Sequence, residues 1–329
     1  MNKVLIITHT ADNEAVASVI QHIKALGGES IRFDVDRYPL TTRLTTQYTG
    51  GRWQLWLEDE YGSHSLDDIT AVWYRRSYNI GKGLETVLDK EFLPSSIGEV
   101  RRTLFGMLEG LPCFQLERYS VYRRLDSKEE QLRIAAGCGL EVPATCITNS
   151  PVRLKAFMEA INRPVVAKMQ SSFAIYREGR EHVVFTNEIS SHHLEQLQQL
   201  SYCPMTFQEK LPKALELRVT VVGKEIFAFS IDSQQLPEAQ TDWRKEGALL
   251  VEDWQPFGLP EPVSAGLLKI MDFYRLNYGA IDLVLTPEGK YYFLELNAAG
   301  EFFWLDKLCG HSISRQLAAI LLGQAERRE

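Results

Sequence analysis

The chain has 329 residues, which is enough for two or three domains with buried cores. Apolar residues make up 45% of the chain and charged residues 24%, which excludes a disordered chain, a collagen-like repeat and a disulfide scaffold. The formal net charge of −7 argues against a general nucleic-acid binder, because such a protein needs a basic surface to displace counterions.

The cysteines and the apolar runs predict the cellular compartment of the protein. Five cysteines are spread along the chain without a C-x-x-C pair, which indicates neither a disulfide framework nor a zinc site. No apolar run reaches the roughly 20 residues that cross a bilayer. The first apolar stretch, 4–7, is too short for the hydrophobic region of a signal peptide. We expect a cytoplasmic protein that binds neither a membrane nor nucleic acid.

The first unit has the order strand, helix, strand. A β-branched run at 4–8 predicts a buried strand, apolar residues at helical spacing over 16–23 predict a helix, and 31–34 indicates a second strand. This order indicates a parallel α/β layer. The loop at 9–14 contains no glycine, so neither a dinucleotide fingerprint nor a P-loop is present. The remaining predicted elements are a hairpin at 41–60, a strand at 71–74 and a helix at 85–111.

Two more units follow, and the second starts near residue 115 with clear helix signals. Ser127 and Glu130 predict a capping box with a helix from Lys128, and Ser150 before Pro151 predicts the next helix. Strands at 165–169 and 182–186 and a short helix at 191–200 complete this unit. The last unit opens at 205 and contains strands at 215–222 and 225–231, a helix at 262–276, a hairpin at 279–286 and 290–297, and a final helix.

The last hairpin carries the most informative polar residues. If 288–289 is a two-residue turn, Asp282 faces Glu295 across the strands, and Asn297 shares a face with Glu295. Two acids placed together among apolar and aromatic neighbours need a cation, and hard oxygen ligands suit Mg²⁺. The alternative is a half-solvated hairpin with ordinary outward polar residues.

Two lysines are candidate phosphate ligands. Lys168 interrupts the apolar run 165–169, where it needs either an anionic partner or a path for its ammonium group to reach water. Lys128 stands in the first turn of its helix, where a cation is mildly unfavourable, and an exposed surface lysine is the alternative.

A polar connector at 208–214 leads into a strand with an acid and a base on one face. Glu216 could bond ribose hydroxyls, and Arg218 could neutralise transferring phosphoryl oxygens. The alternative is a cross-strand ion pair.

These segments, in this order, resemble the ATP-grasp superfamily, an α/β (α+β) fold. The resemblance implies a Rossmann-like pre-ATP-grasp domain at 1–115, a central subdomain at 116–203 and a C-terminal subdomain with the metal site at 204–329, with ATP between the last two. Many members carry a glycine-rich loop after the second lysine, whereas 169–174 contains no glycine. The residues implied to bind ATP are Lys128, Lys168, Gln208, Glu209, Lys210, Leu211, Glu216 and Arg218, and those implied to bind Mg²⁺ are Asp282, Glu295 and Asn297.

The resemblance narrows to one group of ligases. The strings at 32–39, 71–76, 203–209, 242–247 and 297–303 look like the peptide-crosslinking ATP-grasp ligases, and the match is closest to the microviridin (graspetide) ligases. That family converts side-chain carboxylates of a ribosomally made precursor peptide into cyclic amides or esters. The full-length pattern leans towards the amide-forming branch.

The resemblance implies a two-step mechanism. ATP phosphorylates a Glu or Asp side chain of the precursor, and a Ser or Thr hydroxyl or a Lys amine then displaces phosphate. Lys168 and Arg218 would hold phosphate oxygens. Arg244 would orient the acyl group or stabilise its oxyanion, with a surface-loop arginine as the alternative.

The precursor needs a docking surface, and the family typically reads a leader segment. Leu194, Glu195 and Leu197 could receive an amphipathic leader helix, with Glu195 pairing a leader arginine. The alternative is that these leucines pack on their own domain. A second candidate surface, with a structural role as the alternative, consists of Trp73, Arg75 and Arg76, which could contact the acidic core. The family expectation is a homodimer.

Two other functions remain open from the sequence. One is an ATP-grasp ligase that acts on a small amino acid or on a protein C-terminus. The other is a nucleotide-binding regulatory module without turnover. A dinucleotide-dependent oxidoreductase is disfavoured, because the glycine fingerprint is missing.

Overall fold

The computed structural model describes residues 2–12, 14–170, 174–177, 180–183, 186–235 and 253–328.

The first unit of the protein is built on a four-stranded parallel sheet. The sheet has the order β2-β1-β6-β7, which confirms the predicted parallel layer. Its elements are β1 (Lys3–Thr8), α1 (Glu14–Ala25), β2 (Glu29–Asp34), β6 (Ala71–Tyr74), α2 (Leu93–Gly110) and β7 (Phe114–Gln115).

Helix α2 begins later than predicted. A short 3-10 turn at Leu84–Thr86 precedes it, and the helix itself starts at Leu93 with Pro94 in its first turn. Proline has no N–H group and is tolerated only in that first turn, so it sets the start of the helix. The prediction of a helix from residue 85 was wrong for this reason.

A three-stranded antiparallel sheet is inserted between β2 and β6. Strands β3 (Arg43–Thr49), β4 (Arg52–Asp59) and β5 (Gly62–Ser65) form it. Gly50 and Gly51 both have positive φ, so they form the two-residue turn that pairs Thr49 with Arg52. The predicted hairpin is confirmed.

The central unit contains a four-stranded sheet in the order β12-β9-β13-β8. Strand β13, grouped with the last unit in the sequence analysis, pairs with β8 and β9 here. The predicted helix at 191–200 is a short α-helix followed by a 3-10 turn at Leu197–Tyr202. The elements are α3 (Tyr119–Arg124), α4 (Lys128–Gly137), β8 (Thr145–Thr148), α5 (Pro151–Ile161), β9 (Val165–Lys168), β10 (Ala174–Arg177), β11 (Arg180–Val183), β12 (Asn187–Glu188), α6 (Ser191–Glu195) and β13 (Met205–Glu209).

Helix α4 starts at Lys128 as predicted, but only half of its capping box is present. The Ser127 hydroxyl accepts a hydrogen bond from the Glu130 N–H at 3.3 Å. The Glu130 carboxylate bonds the guanidinium of Arg124 instead of returning to the N-cap. The Arg124 guanidinium offers the carboxylate two N–H donors and a full positive charge, whereas the N-cap offers a single uncharged N–H, which explains the difference.

The last unit is a five-stranded antiparallel sheet in the order β16-β15-β14-β17-β18. Its terminal helix packs on α1, so Ile313 and Leu317 share one apolar core with Val16 and Val19. In the described part of the chain, no helix is both long and apolar enough to span a bilayer. The elements are β14 (Leu215–Val222), β15 (Glu225–Ile231), β16 (Gln255–Pro256), α7 (Glu261–Tyr274), β17 (Tyr278–Leu285), β18 (Tyr291–Asn297), α8 (Phe303–Leu308) and α9 (Ser312–Leu321).

Candidate active site

The predicted pairing of Asp282 with Glu295 is confirmed, although the turn of the hairpin differs from the prediction. The loop at 287–289 has three residues, and Gly289 takes the left-handed conformation that such a loop requires. Near the turn the pairing is therefore one residue out from the predicted register. A bulge at Leu294 restores that register, so Asp282 and Glu295 face each other.

Each of the two acids has a cation of the protein beside it. Arg218 lies opposite Asp282 on the neighbouring strand β14, and its Nη1 donates to Asp282 Oδ1 at 2.7 Å. Lys128, at the start of α4, donates from Nζ to Glu295 Oε2 at 2.9 Å. The structure thus brings together four of the predicted site residues from four elements, α4, β14, β17 and β18. The alternative of a cross-strand ion pair is realised for Arg218, with Asp282 as the partner.

Burial and charge act in opposite directions on Arg218. Burial alone lowers the pKa of its guanidinium, but the Asp282 carboxylate raises it, and the net pKa is above the ordinary value. Arg218 therefore stays charged although its side chain is largely buried. A permanent cation at this position can hold an anion at any physiological pH.

The charges of this cluster fit a metal bound to phosphates better than a bare metal ion. Each carboxylate is already paired with a cation, so a lone divalent cation would meet repulsion from Lys128 and Arg218. A polyphosphate with its Mg²⁺ satisfies both kinds of charge. Within the described residues no group of three or more His, Cys, Asp or Glu forms a metal site. The third ligand predicted at this hairpin is the amide of Asn297.

Asn297 is exposed at the end of β18, two residues from Glu295. Its Oδ1 accepts a hydrogen bond from the N–H of Ala299 at 2.8 Å. An amide oxygen has two lone pairs, so this bond orients the side chain and leaves one lone pair for a cation.

The remaining predicted ATP residues lie on the central sheet and at the start of β14. Lys168 ends β9 beside Thr206 of β13, with its side chain half-buried. Glu216 is buried and accepts a hydrogen bond from Lys213 Nζ at 3.0 Å. Arg244 and the loop residues 171–173 lie outside the described residues.

The predicted adenine linker uses its side chains for structure. Gln208 Nε2 donates to Thr145 Oγ1 at 3.1 Å, and Glu209 accepts from the N–H of Ala144 and from Arg163. Lys210 pairs with Glu188 at 2.6 Å, and Leu211 is buried. The backbone is engaged as well, since the N–H groups of Glu209 and Lys210 donate to the carbonyls of Ala144 and Pro164.

The comparisons with known proteins identify the family of the chain. A family model described as MvdD pre-ATP grasp domain matches residues 3–123. A solved structure of a Chryseobacterium gregarium RiPP-associated ATP-grasp ligase, in complex with ADP and a leader and core peptide, is 51% identical with a TM-score of 0.97. That match covers 100% of this chain and 99% of the other. The chain belongs to the RiPP-associated ATP-grasp ligases.

Two macrocyclases from Microcystis aeruginosa MRC also resemble the ligase. MdnC, solved with precursor peptide MdnA, is 38% identical with a TM-score of 0.87. MdnB is 30% identical with a TM-score of 0.82. Both matches cover 98% of this chain and 99% of the other. The search of curated proteins found no match. These similarities confirm the predicted ATP-grasp fold, the enzyme class and the resemblance to the microviridin ligases.

The structure corrects part of the predicted peptide surface of the ligase. Trp73 is 2% exposed and Arg75 is 1% exposed, so neither side chain faces a substrate in this structure. Leu197 is 8% exposed and packs in the core of the central unit, which was the alternative to leader contact. Leu194 and Glu195 do face solvent, and Glu195 lies 3.6 Å from His192.

The sequence analysis missed Glu301, which lies four residues after Asn297. Its carboxylate pairs with Arg75 at 2.7 Å and also with Arg76, both from the first unit. The string 297–303 supported the family resemblance, but nothing in it indicates a partner more than 220 residues away. The only sequence feature that could have indicated Glu301 is the position of this acid shortly after β18, the strand that carries two candidate metal ligands.

Proposed function

We propose that the ligase activates side-chain carboxylates of a ribosomally made precursor peptide and closes omega-amide or omega-ester rings, as in microviridin-type tricyclic peptides. The observation that carries the proposal is the cluster of two ion pairs, Asp282 with Arg218 and Glu295 with Lys128, which fits a metal–phosphate group. The Chryseobacterium gregarium ligase, bound to ADP and to a leader and core peptide, supports the choice of substrates.

The chemistry divides into two displacements. A carboxylate oxygen of the peptide attacks the γ-phosphorus of ATP, the bond to the β-phosphate oxygen breaks, and ADP leaves. A Ser or Thr hydroxyl or a Lys amine then attacks the acyl carbon, phosphate departs, and the nucleophile releases its proton to solvent. Each ring therefore consumes one ATP and removes the elements of one water.

The residues of the cluster have separate tasks in the first step. Arg218, Lys128 and Lys168 would hold phosphate oxygens, since phosphoryl transfer depends mainly on positioning and on charge neutralisation. Mg²⁺, held by Asp282, Glu295 and Asn297 as hard oxygen ligands, would supply further neutralisation at the phosphates.

The nucleoside and acyl ends of the substrates would meet other residues. Glu216 would accept hydrogen bonds from the ribose, and the segment 208–211 would contact adenine. Arg244 would hold the acyl group. These assignments rest on the family resemblance.

The partners follow from the same proposal. The exposed Leu194 and Glu195 would receive part of the leader helix, with the acidic core reaching the cluster. A homodimer is the expected assembly. A ribosomal peptide substrate and a requirement for ATP would fit a reaction in the cytoplasm.

Mass spectrometry tests the proposal. The leader-and-core peptide of the Chryseobacterium gregarium ligase, or a precursor encoded with this chain, is incubated with the enzyme, ATP and Mg²⁺. We expect the peptide to lose the mass of one water for each ADP released. Hydroxylamine cleaves esters and leaves amides, so it identifies the bond formed.

Two results would contradict the proposal. ADP release with free amino acids but not with either peptide would indicate a ligase for small amino acids. Nucleotide binding without release of ADP under any condition would indicate a regulatory module.

A further inference from the structure

Arg75 connects the first unit to the loop that follows the candidate metal strand. It comes directly after β6, and its guanidinium is buried. Nη1 donates to the carbonyl groups of Ala299 and Gly300, and Nη2 donates to Glu301 Oε2 at 2.7 Å. Nε lies 3.5 Å from Asp12 Oδ2. A buried guanidinium needs such partners to offset its lost hydration.

The loop that Arg75 binds also contacts two residues of the cluster. The N–H of Ala299 bonds Asn297 Oδ1 at 2.8 Å. The carbonyl of Glu301 accepts a hydrogen bond from Arg218 Nη2 at 3.2 Å. Loop 299–301 therefore touches a candidate metal ligand on one side and a candidate phosphate ligand on the other.

Arg76 strengthens the same connection. Its Nη2 donates to the carbonyl of Ala299 at 3.2 Å, and its Nη1 pairs with Glu301 Oε1. The Glu301 carboxylate thus bridges two consecutive arginines, each using one oxygen. Paired charges of this kind hold geometry better than a single exposed ion pair, because one side chain is ordered by both partners.

We propose that Arg75 is a positioning residue for the metal–phosphate site. From the first unit it fixes loop 299–301, and the loop in turn sets the orientation of the Asn297 amide and of the Arg218 guanidinium. The proposal rests on the proposed function, since it assumes that Asn297 and Arg218 face Mg²⁺ and phosphate. It goes further in making the first unit a part of the site's geometry.

The test measures metal binding rather than turnover. Mn²⁺ replaces Mg²⁺ and is followed by electron paramagnetic resonance with the intact protein and the ATP analogue AMPPNP. The variants are Arg75→Lys and Glu301→Gln. A lysine cannot reproduce the planar fork that contacts two carbonyls and a carboxylate. Arg102→Lys is the matched control, because Arg102 is exposed on α2 and pairs only with Glu99 among the described residues.

We expect both variants to raise the Mn²⁺ half-saturation concentration by about tenfold or more, as residues that orient metal ligands typically do. The Arg102→Lys value should match that of the wild type. A lower thermal midpoint with an unchanged Mn²⁺ half-saturation concentration in both variants would overturn the proposal. Arg75 would then stabilise the fold without orienting the metal ligands. If Arg75→Lys does not fold, Glu301→Gln decides alone, since Glu301 is partly exposed and leaves Arg75 its carbonyl partners.

The two proposals fail in different ways. A wild type that binds no Mn²⁺ in the presence of AMPPNP would overturn the proposed function together with this inference. A wild type that binds Mn²⁺ and closes rings, beside variants with unchanged half-saturation, would overturn only the role of Arg75.

Discussion

Gly300 shows how tightly the loop after the hairpin approaches the cluster. A Cβ at this position would overlap the Cβ of Ala280 and lie 3.1 Å from Arg218 Nη2. Its φ is not in the left-handed region, so space and not backbone conformation requires glycine here.

We predict that Gly300→Ala impairs the enzyme while a matched glycine change does not. The extra methyl should cost about 1–3 kcal/mol of unfolding free energy by overpacking and should displace Arg218. Gly106→Ala, on the exposed face of α2 with open space around it, should be neutral or stabilising. Urea unfolding and ADP release with the precursor peptide check both variants. Full ADP release by Gly300→Ala would contradict the close contact.

Glu117 is a second residue whose environment makes a prediction. It is buried between the units, and its Oε1 accepts hydrogen bonds from the N–H groups of Asn277 at 2.8 Å and Tyr278 at 2.6 Å. Its Oε2 has no hydrogen-bond partner within the described residues. Burial raises the pKa of this carboxyl well above its ordinary value, against the lowering effect of the two backbone bonds.

The raised pKa gives a defined pH dependence of stability. Because the folded pKa exceeds the unfolded one, the stabilisation is fully present below the unfolded pKa and is lost as the pH rises through the folded pKa. We therefore expect the thermal midpoint of the wild type to fall relative to that of Glu117→Gln as the pH rises above the ordinary carboxyl pKa of 4.5. A difference that stays constant or moves the other way would show that Glu117 is ionised in the folded protein.

At the scale of elements, caps and turns explain where sequence reasoning succeeded. Strands β14 and β15 have the predicted bounds because Gly223, with positive φ, fixes the turn between them. The hairpin register held at Asp282 because the bulge at Leu294 compensates for a turn that is longer than predicted. A bulge leaves little trace in the alternation of residues, so the compensation could not be predicted from sequence.

Two N-caps allow a controlled test of how helix α4 presents Lys128. Ser127 and Ser150 each accept one backbone hydrogen bond, at 3.3 Å and 3.4 Å, at the starts of α4 and α5. Replacing either serine with alanine should cost about 1 kcal/mol of stability. Only Ser127→Ala should also weaken nucleotide binding, because only α4 carries a cluster residue. Calorimetric titration with ADP and Mg²⁺ compares the nucleotide affinities of the two variants. Equal affinities would contradict the proposal that α4 positions Lys128 for the nucleotide.

At the scale of the whole molecule, the site is assembled from contacts that no local pattern encodes. Lys128 and Glu295 are 167 residues apart, Arg218 and Asp282 are 64 apart, and Arg75 and Glu301 are 226 apart. The sequence predicted the residue types and the hairpin face, since both follow from strand alternation and family resemblance. It did not predict which cation neutralises which acid, because that depends on how three units pack.

The same long-range assembly explains why two predicted substrate residues are buried. Trp73 lies near the end of β6 and Arg75 directly follows it, at the carboxyl edge of a parallel sheet, a place where ligands commonly bind. In this fold the last unit covers that edge, so Trp73 joins the shared core and Arg75 binds loop 299–301.

The central claim is that the hairpin acids and their cations transfer the γ-phosphoryl group of ATP to a peptide carboxylate. The most direct measurement is the ratio of rings closed to ADP released, by mass spectrometry and nucleotide chromatography, for the wild type, Glu295→Gln and the exposed control Glu99→Gln. We predict a ratio of one ring per ADP in the wild type and the control, with both products lost in Glu295→Gln. Ring closure by Glu295→Gln at the rate of the wild type, or rings formed without ADP, would contradict the account.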